Sequence, residues 1–132
     1  MTIEPINPET MSAPRGYSHA ISVTGNHKTV YIGGQNAINQ AGELVGKGNL
    51  QEQTLQVLSN IEKILQKAGG KLENTIKFNI YLVQGQNPAA GFVAFQQKWK
   101  GQTPPVVTVL FVAGLGNPDW LLEIDATAII PE

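Results

Sequence analysis

The sequence predicts an α+β domain with elements in the order ββ(β)αβαββ and two helices on one face of a single sheet. Two patterns and one length carry that expectation. Short runs rich in β-branched and aromatic residues recur from Tyr17 to the end of the chain, and two segments of helical period interrupt them. The chain has 132 residues, of which 42% are hydrophobic and 14% charged. That length suits one domain at roughly 100 to 200 residues each, and the composition supplies a core, so residues 1–132 are expected to fold as one unit.

Ala20 to Thr24 and Thr29 to Gly33 have strand composition. Gly25-Asn26-His27-Lys28 between them is a turn region of hairpin length, so the two runs are expected to pair. Gln35 to Gly48 is rich in glycine and asparagine and reads as a loop with room for one short strand near Leu44. Leu50, Thr54, Val57, Leu58, Ile61, Ile64, Leu65 and Ala68 then recur at three- and four-residue steps and form the apolar stripe of a helix. Asn49 is placed to cap its first turn, Glu52 to favour the positive end of its dipole, and Gly69-Gly70 to end it.

Ile76, Phe78, Ile80 and Leu82 alternate with Lys77, Asn79 and Tyr81, the period of a strand with unlike faces. Asn87-Pro88 starts a second helix, with Phe92, Phe95 and Trp99 on one side and Gly101 as its stop. Val106 to Val112 and Leu121 to Ile130 close the chain as two strands. The turn-rich stretch from Gly114 to Asp119 predicts that these two pair antiparallel. Right-handed crossovers put both helices on one face of a sheet of five or six strands and leave the other face bare. Yet Val106, Val107, Val109, Leu110, Phe111 and Val112 make their strand apolar on both sides. An identical subunit is the simplest cover for such a surface, so a homo-oligomer with packed sheets is expected.

Composition also narrows function. Nine Lys and Arg against ten Asp and Glu leave a net charge of −1. That is no positive field for a phosphate backbone, so no nucleic-acid partner is expected. No apolar run approaches the roughly 20 residues of a bilayer span, and Met1 to Gly16 lacks the basic start and apolar run of a secretory signal. The absence of cysteine excludes disulfides, thiolate nucleophiles and Cys-ligated metals and fits a reducing compartment. A cytoplasmic protein without membrane association is the expectation.

Few residues offer reaction chemistry. His19 and His27 have neither an HxH nor an HExxH spacing, so no metal site is expected. Ser18, Ser22 and Ser59 lack a nucleophile elbow. The glycines at 33, 34, 42, 46 and 48 lack the phosphate-loop Lys-Ser/Thr and the GxGxxG spacing, so no nucleotide cradle and no cofactor are expected. The run Trp120 to Ala126 places Glu123 and Asp125 on one strand face between apolar neighbours. Two readings stand level there: a half-buried carboxylate of functional use, or a pair at a solvated sheet edge.

Several stretches resemble the RidA (YjgF) family, earlier grouped with the L-PSP endoribonucleases. They are Arg15-Gly16-Tyr17-Ser18-His19-Ala20-Ile21, Val30-Tyr31-Ile32-Gly33-Gly34-Gln35, the loop Gly42-Glu43-Leu44-Val45, and the helix from Gln53-Thr54 to Asn60. Ala68-Gly69-Gly70 with Leu72, the strand Ile76 to Val83, and Glu123-Ile124-Asp125-Ala126 extend the likeness over nearly the whole chain. The resemblance implies a chorismate-mutase-like fold of the bacillus type, assembled as a homotrimer whose sheets form a central barrel and whose ligand clefts lie between subunits. In active members, enamines or imines left by pyridoxal-phosphate enzymes are hydrolysed to keto acids and ammonia. An arginine after a Pro-Ala pair on the penultimate strand holds the substrate carboxylate. The matching stretch here is Pro105-Val106-Val107-Thr108, so Val107 stands at the arginine position. Phe92 stands at the usual asparagine of the second helix and Gly33 at the usual serine before Gly-Gln, while Tyr17 and Glu123 match.

Together, the likeness and its departures imply a homotrimer that binds a small-molecule ligand between subunits, its imine deaminase activity lost or altered. Tyr17, Gly33, Phe92 and Val107 are the implied ligand-binding positions, and Glu123 is the residue that would activate water. An isopropyl group in place of the guanidinium leaves a carboxylate unpaired, a loss on the order of 2 to 5 kcal/mol. Arg15 has two open readings. It is a solvated loop residue, or it reaches the cleft as a substitute cation in a working imine hydrolase. Phe92 and Val107, with Phe111 or Trp120, make a pocket suited to an uncharged or aromatic ligand, or else form trimer core. RNA cleavage is suggested only by the older family name and is disfavoured by the charge balance.

Overall fold

The alternating residues of the strands sort onto two unlike faces, and the helix caps decide where the covering layer begins and ends. The computed structural model describes residues Met1–Glu132. In chain order they form β1 (Thr2–Ile6), β2 (Ala20–Thr24), β3 (His27–Gln35), α1 (Leu50–Lys67), a 3-10 turn (Leu72–Asn74), β4 (Thr75–Val83), α2 (Pro88–Lys98), β5 (Val106–Val112) and β6 (Leu122–Pro131).

α1 forms on the predicted stripe, with Leu50, Thr54, Val57, Leu58, Ile61 and Leu65 buried. The Asn49 side-chain oxygen accepts the Glu52 N–H at 3.0 Å. At the other end Gly69 turns to φ +92. The N–H groups of Gly69 and Gly70 then donate to the carbonyls of Gln66 and Leu65, satisfying the last turn. α2 starts as predicted, with Asn87 accepting from Ala89 N–H at 3.0 Å and Pro88 in the first turn. It stops one turn earlier than Gly101, because Trp99 is extended at φ −78, ψ 123. Gly101 lies instead against the Trp99 indole, where a Cβ would come within 2.5 Å of the ring.

The main sheet has four strands in the order β3-β6-β4-β5. β6 is antiparallel to both β3 and β4, and β5 is parallel to β4 through the α2 crossover. Two expected pairings are therefore corrected. β5 and β6 do not form an antiparallel pair. The β3-α1-β4 crossover leaves one strand position vacant, and β6, whose Leu122, Ile124, Ala126 and Ala128 are buried, fills that central slot. Nor do β2 and β3 form a hairpin. β2 pairs with β1 from Thr2↔Thr24 to Ile6↔Ala20, so the sheet of five or six strands is four strands plus a separate two-stranded ribbon.

The ribbon is held elsewhere by its base. Ser18 donates its N–H to Pro105 O at 3.0 Å and its hydroxyl to Pro104 O at 2.6 Å, just before β5. β2 thus starts beside the residues that precede β5 and leads into β3, which lies on the opposite edge of the main sheet. Between β2 and β3, Gly25 has φ +88 and its open side packs against Met1, where a Cβ would meet the Met1 backbone at 3.0 Å. In the following loop an isolated bridge joins Ile38 and Leu44, the short strand contact expected near Leu44.

Both helices cover one face. Phe78 and Leu82 of β4, the small and aliphatic residues of β6 and the α1 stripe share one core. Phe78 is fully enclosed and lies edge-on to Phe95 and Trp99 at centroid distances of 5.5 and 6.0 Å. The intervening residues Asn79, Tyr81, Glu123 and Asp125 project from the other face, which no helix covers. No helix is long and apolar enough to cross a membrane.

Candidate functional site

Strand alternation puts Val107 and Val109 of β5 on the helix side, in register with Phe78 and Ile80 of β4. Beyond the Phe78 cluster, α2 and this face part to leave a cavity of about 350 Å³. Its floor is apolar sheet, namely Ile80, Leu82, Leu122 and Ile124, and Phe95 and Gly91 of α2 form its wall with Thr54 of α1. The rim is Val107, Val109, Pro88, Phe92 and the segment Arg15-Gly16-Tyr17. That segment arrives there because Ser18 is tied to Pro104 and Pro105. Gly16 at φ +76 turns the loop over Phe92, whose ring would be 3.6 Å from a Cβ at that position.

Few polar groups reach this space. The Thr54 hydroxyl donates to Leu50 O at 2.7 Å, so toward a ligand it can only accept. The Tyr17 ring stands edge-on to His19 at 5.7 Å, and its hydroxyl has no partner within the chain. Arg15 is the one charged lining residue, and neither of the two ion pairs, Lys47–Asp119 and Lys98–Glu62, involves it. It is exposed, yet it borders the cavity.

Glu123 and Gly33 lie elsewhere. Glu123 is paired in register with Tyr81 and projects from the uncovered face, so it does not reach the cavity of its own chain. Gly33 sits in an irregularity of β3 between Ile32 and Gln35, open to space. Its neighbour Gly34 packs under the Glu123 carboxylate, and a Cβ there would stand 2.5 Å from Oε2. The carboxylate itself makes no hydrogen bond and no ion pair. Asp125, on the same face, differs. It accepts from Asn79 Nδ2 at 2.8 Å and from the Tyr81 hydroxyl at 2.9 Å. That hydrogen bond, with desolvation and the negative charges of Asp125 and Glu123, pushes the Tyr81 hydroxyl above the ordinary tyrosine range. Asp125 is thus committed to structure and Glu123 is free.

The structure therefore brings Arg15, Tyr17, Phe92 and Val107 around one cavity and leaves Glu123 and Gly33 on the far side of the sheet. Phe111 and Trp120 are not part of the lining. One residue that frames the site escaped the sequence reading. Gln53 is buried; it accepts from Leu121 N–H at 2.9 Å and donates to Gly46 O at 3.1 Å and Asp119 O at 3.0 Å. It pins the loop before α1 to the connection before β6, beside the floor residue Leu122. Its signal was positional, three residues after Leu50 and four before Val57, on the buried phase of the helix.

Comparison with known proteins agrees with this fold. The endoribonuclease L-PSP family matches residues 8–130. A RutC family protein of Synechocystis is 34% identical over 99% of both chains, and another of Pyrococcus abyssi is 35% identical over 97% of this chain and 98% of its own. The mitochondrial protein mmf2 of Schizosaccharomyces pombe is 30% identical over 97% of this chain and 98% of its own. Among solved structures, a protein of unknown function of the conserved Rid family from Yersinia pestis has a TM-score of 0.87 at 35% identity, covering 98% of this chain and 100% of that one. The RidA of an Antarctic Psychrobacter has a TM-score of 0.70 at 32% identity, covering 90% of this chain and 92% of its own. The two-helix, mixed-sheet α+β fold is common to them, and the chain belongs to the endoribonuclease L-PSP family, the group of the RutC and Rid proteins.

Proposed function

We propose that the chain acts as a Rid-family homotrimer that binds a small metabolite in clefts between subunits, with the family's imine deaminase chemistry lost or altered. Val107 carries the reading. Its isopropyl group borders the cavity at the position where the resemblance puts the carboxylate-binding arginine, and Phe92 faces it in place of an asparagine. A ligand carboxylate seated there would be desolvated without a partner, at a cost of about 2 to 5 kcal/mol, or roughly 30-fold to several thousandfold in affinity.

The homotrimer is supported by β5, where Val109, Leu110 and Phe111 are 45%, 51% and 51% exposed and lie on both faces of the strand. It is supported also by Glu123, whose free carboxylate can meet a cavity only if that cavity belongs to a neighbouring protomer. The same free carboxylate favours a second reading. In it Glu123 activates a water against an enamine or imine, and Arg15 replaces the missing strand cation. Nothing in the charge balance supports ribonuclease action. For compartment, the cytoplasm is our proposal from composition and the lack of a secretory signal pattern, against two relatives that are named as mitochondrial.

The test generates 2-aminoacrylate in place and follows keto-acid release with and without the protein. The first reading expects no acceleration over the uncatalysed background. Acceleration that disappears in Glu123→Ala establishes the second. Val107→Arg should confer binding of a small carboxylate that the parent chain does not hold. Sedimentation equilibrium should give three times the mass of one chain, and a monomer at micromolar concentration sinks both readings.

A further inference from the structure

We propose that the cavity takes an apolar-bodied carboxylate, aromatic or branched aliphatic, with its charge at the mouth on Arg15 and its body inward against the floor residues of β4 and β6. This rests on the reading of the cavity as a ligand site and fixes which way the ligand points. A strand cation at position 107 would draw a carboxylate toward the sheet. The present lining draws it the other way.

Three observations set the direction. The floor formed by Ile80, Leu82, Leu122 and Ile124 offers hydrocarbon, and the backbone groups of these strands are engaged in the ladders of β4, β5 and β6. An anion pushed there would lose its water and gain no partner. Arg15 borders the same space at its exposed end, and its guanidinium has no carboxylate within ion-pair distance in the chain. It is a planar donor fork with vacant bonds. α2 begins on the same rim at Pro88, so the positive end of an eleven-residue helix adds to the potential at the mouth.

The lining contributed by one chain contains no acidic side chain, so an amine finds no counter-charge there. The volume, about 350 Å³, is near the small end of the range of ligand cavities and suits a body of one ring or one branched chain. Tyr17 and Phe92 flank the entrance with aromatic surface, and the packing of Gly16 on Phe92 holds the Arg15 loop over it.

Titration calorimetry with phenylacetate, its neutral isostere phenylacetamide, and acetate tests the proposal on the full chain and on Arg15→Gln. The expected result is that phenylacetate binds about fivefold tighter than phenylacetamide, that added salt narrows the gap, and that acetate does not bind measurably. Arg15→Gln should remove the preference for the acid and leave the amide unchanged. Because Arg15 is an exposed loop residue, an unaltered urea midpoint will show that the variant folds. Equal affinity of acid and amide, a preference that survives Arg15→Gln, or tight binding of acetate overturns the orientation while the cavity remains a ligand site. Binding of none of the three overturns both.

Discussion

The two faces of the four-stranded sheet come from the same strands and differ by one residue of phase. On the helix side, Phe78, Leu82, Leu122 and Ile124 are closed off by α1 and α2, and the cavity opens where that packing stops. On the other side, Asn79, Tyr81 and Asp125 bond to one another and Glu123 is left unpaired. The first face is covered by helices within one chain, apart from the exposed Val109 and Phe111 of β5. The other carries a partly satisfied polar patch beside exposed Leu110 and has no cover in the chain. The cavity and the carboxylate that would serve it are therefore separated by the thickness of the sheet, and chemistry that needs both needs more than one protomer.

The largest way to break this contrast is on the closed face. Phe78→Ala removes the ring on which Phe95 and Trp99 pack, and urea denaturation should show a loss of about 3 to 5 kcal/mol. Gln53→Leu fits the apolar phase but strands Leu121 N–H and two carbonyls, so a loss of about 1 to 3 kcal/mol is expected in the same assay, with a weaker cavity floor near Leu122. On the open face the response should be different in kind. Leu110→Asp should leave the far-ultraviolet spectrum of the protomer intact and weaken self-association by more than about tenfold in sedimentation. An unchanged assembly would show that the open face is not the interface.

The smallest effect concerns pH. In the fold the Tyr81 hydroxyl keeps its proton above the ordinary tyrosine range, whereas the unfolded chain releases it at the ordinary value. The contribution of Tyr81 is thus complete below that range and is lost as pH rises through the raised value. Stability measured in strongly alkaline buffer should fall with a shallower slope in Tyr81→Phe than in the parent chain. An identical slope would mean that the Asp125 bond does not persist in solution.

Local features of this fold were legible in the sequence, and long-range ones were less so. Asn49, Gly69 and Asn87-Pro88 mark helix ends because capping involves residues three or four apart, and the period of β4 shows its two faces without reference to any neighbour. Strand order has no such local signature. β6 occupies the slot between β3 and β4 for reasons of crossover geometry, and the turn residues at Gly114 to Asp119 look the same whether they close a hairpin or carry the chain past a strand. β1 was hidden by Glu4 and Pro5, which an exposed two-stranded ribbon tolerates and a central strand would not. At the site, the family resemblance pointed to Tyr17, Phe92 and Val107, and the structure adds that Arg15 borders the same cavity while Glu123 stands across the sheet from it. Gln53 stands on the buried phase of α1, but the main-chain groups that satisfy it, at Gly46, Asp119 and Leu121, lie in connections whose course the sequence does not mark.

Gly34 has an ordinary φ, so its lack of a side chain answers to volume and not to backbone freedom. The space above it is occupied by the acid end of Glu123. A single methyl added at position 34 would swing that acid aside without altering its charge or touching its own codon. Whoever wishes to silence the carboxylate while keeping the electrostatics of the sheet intact has the means in the smallest substitution the chain allows.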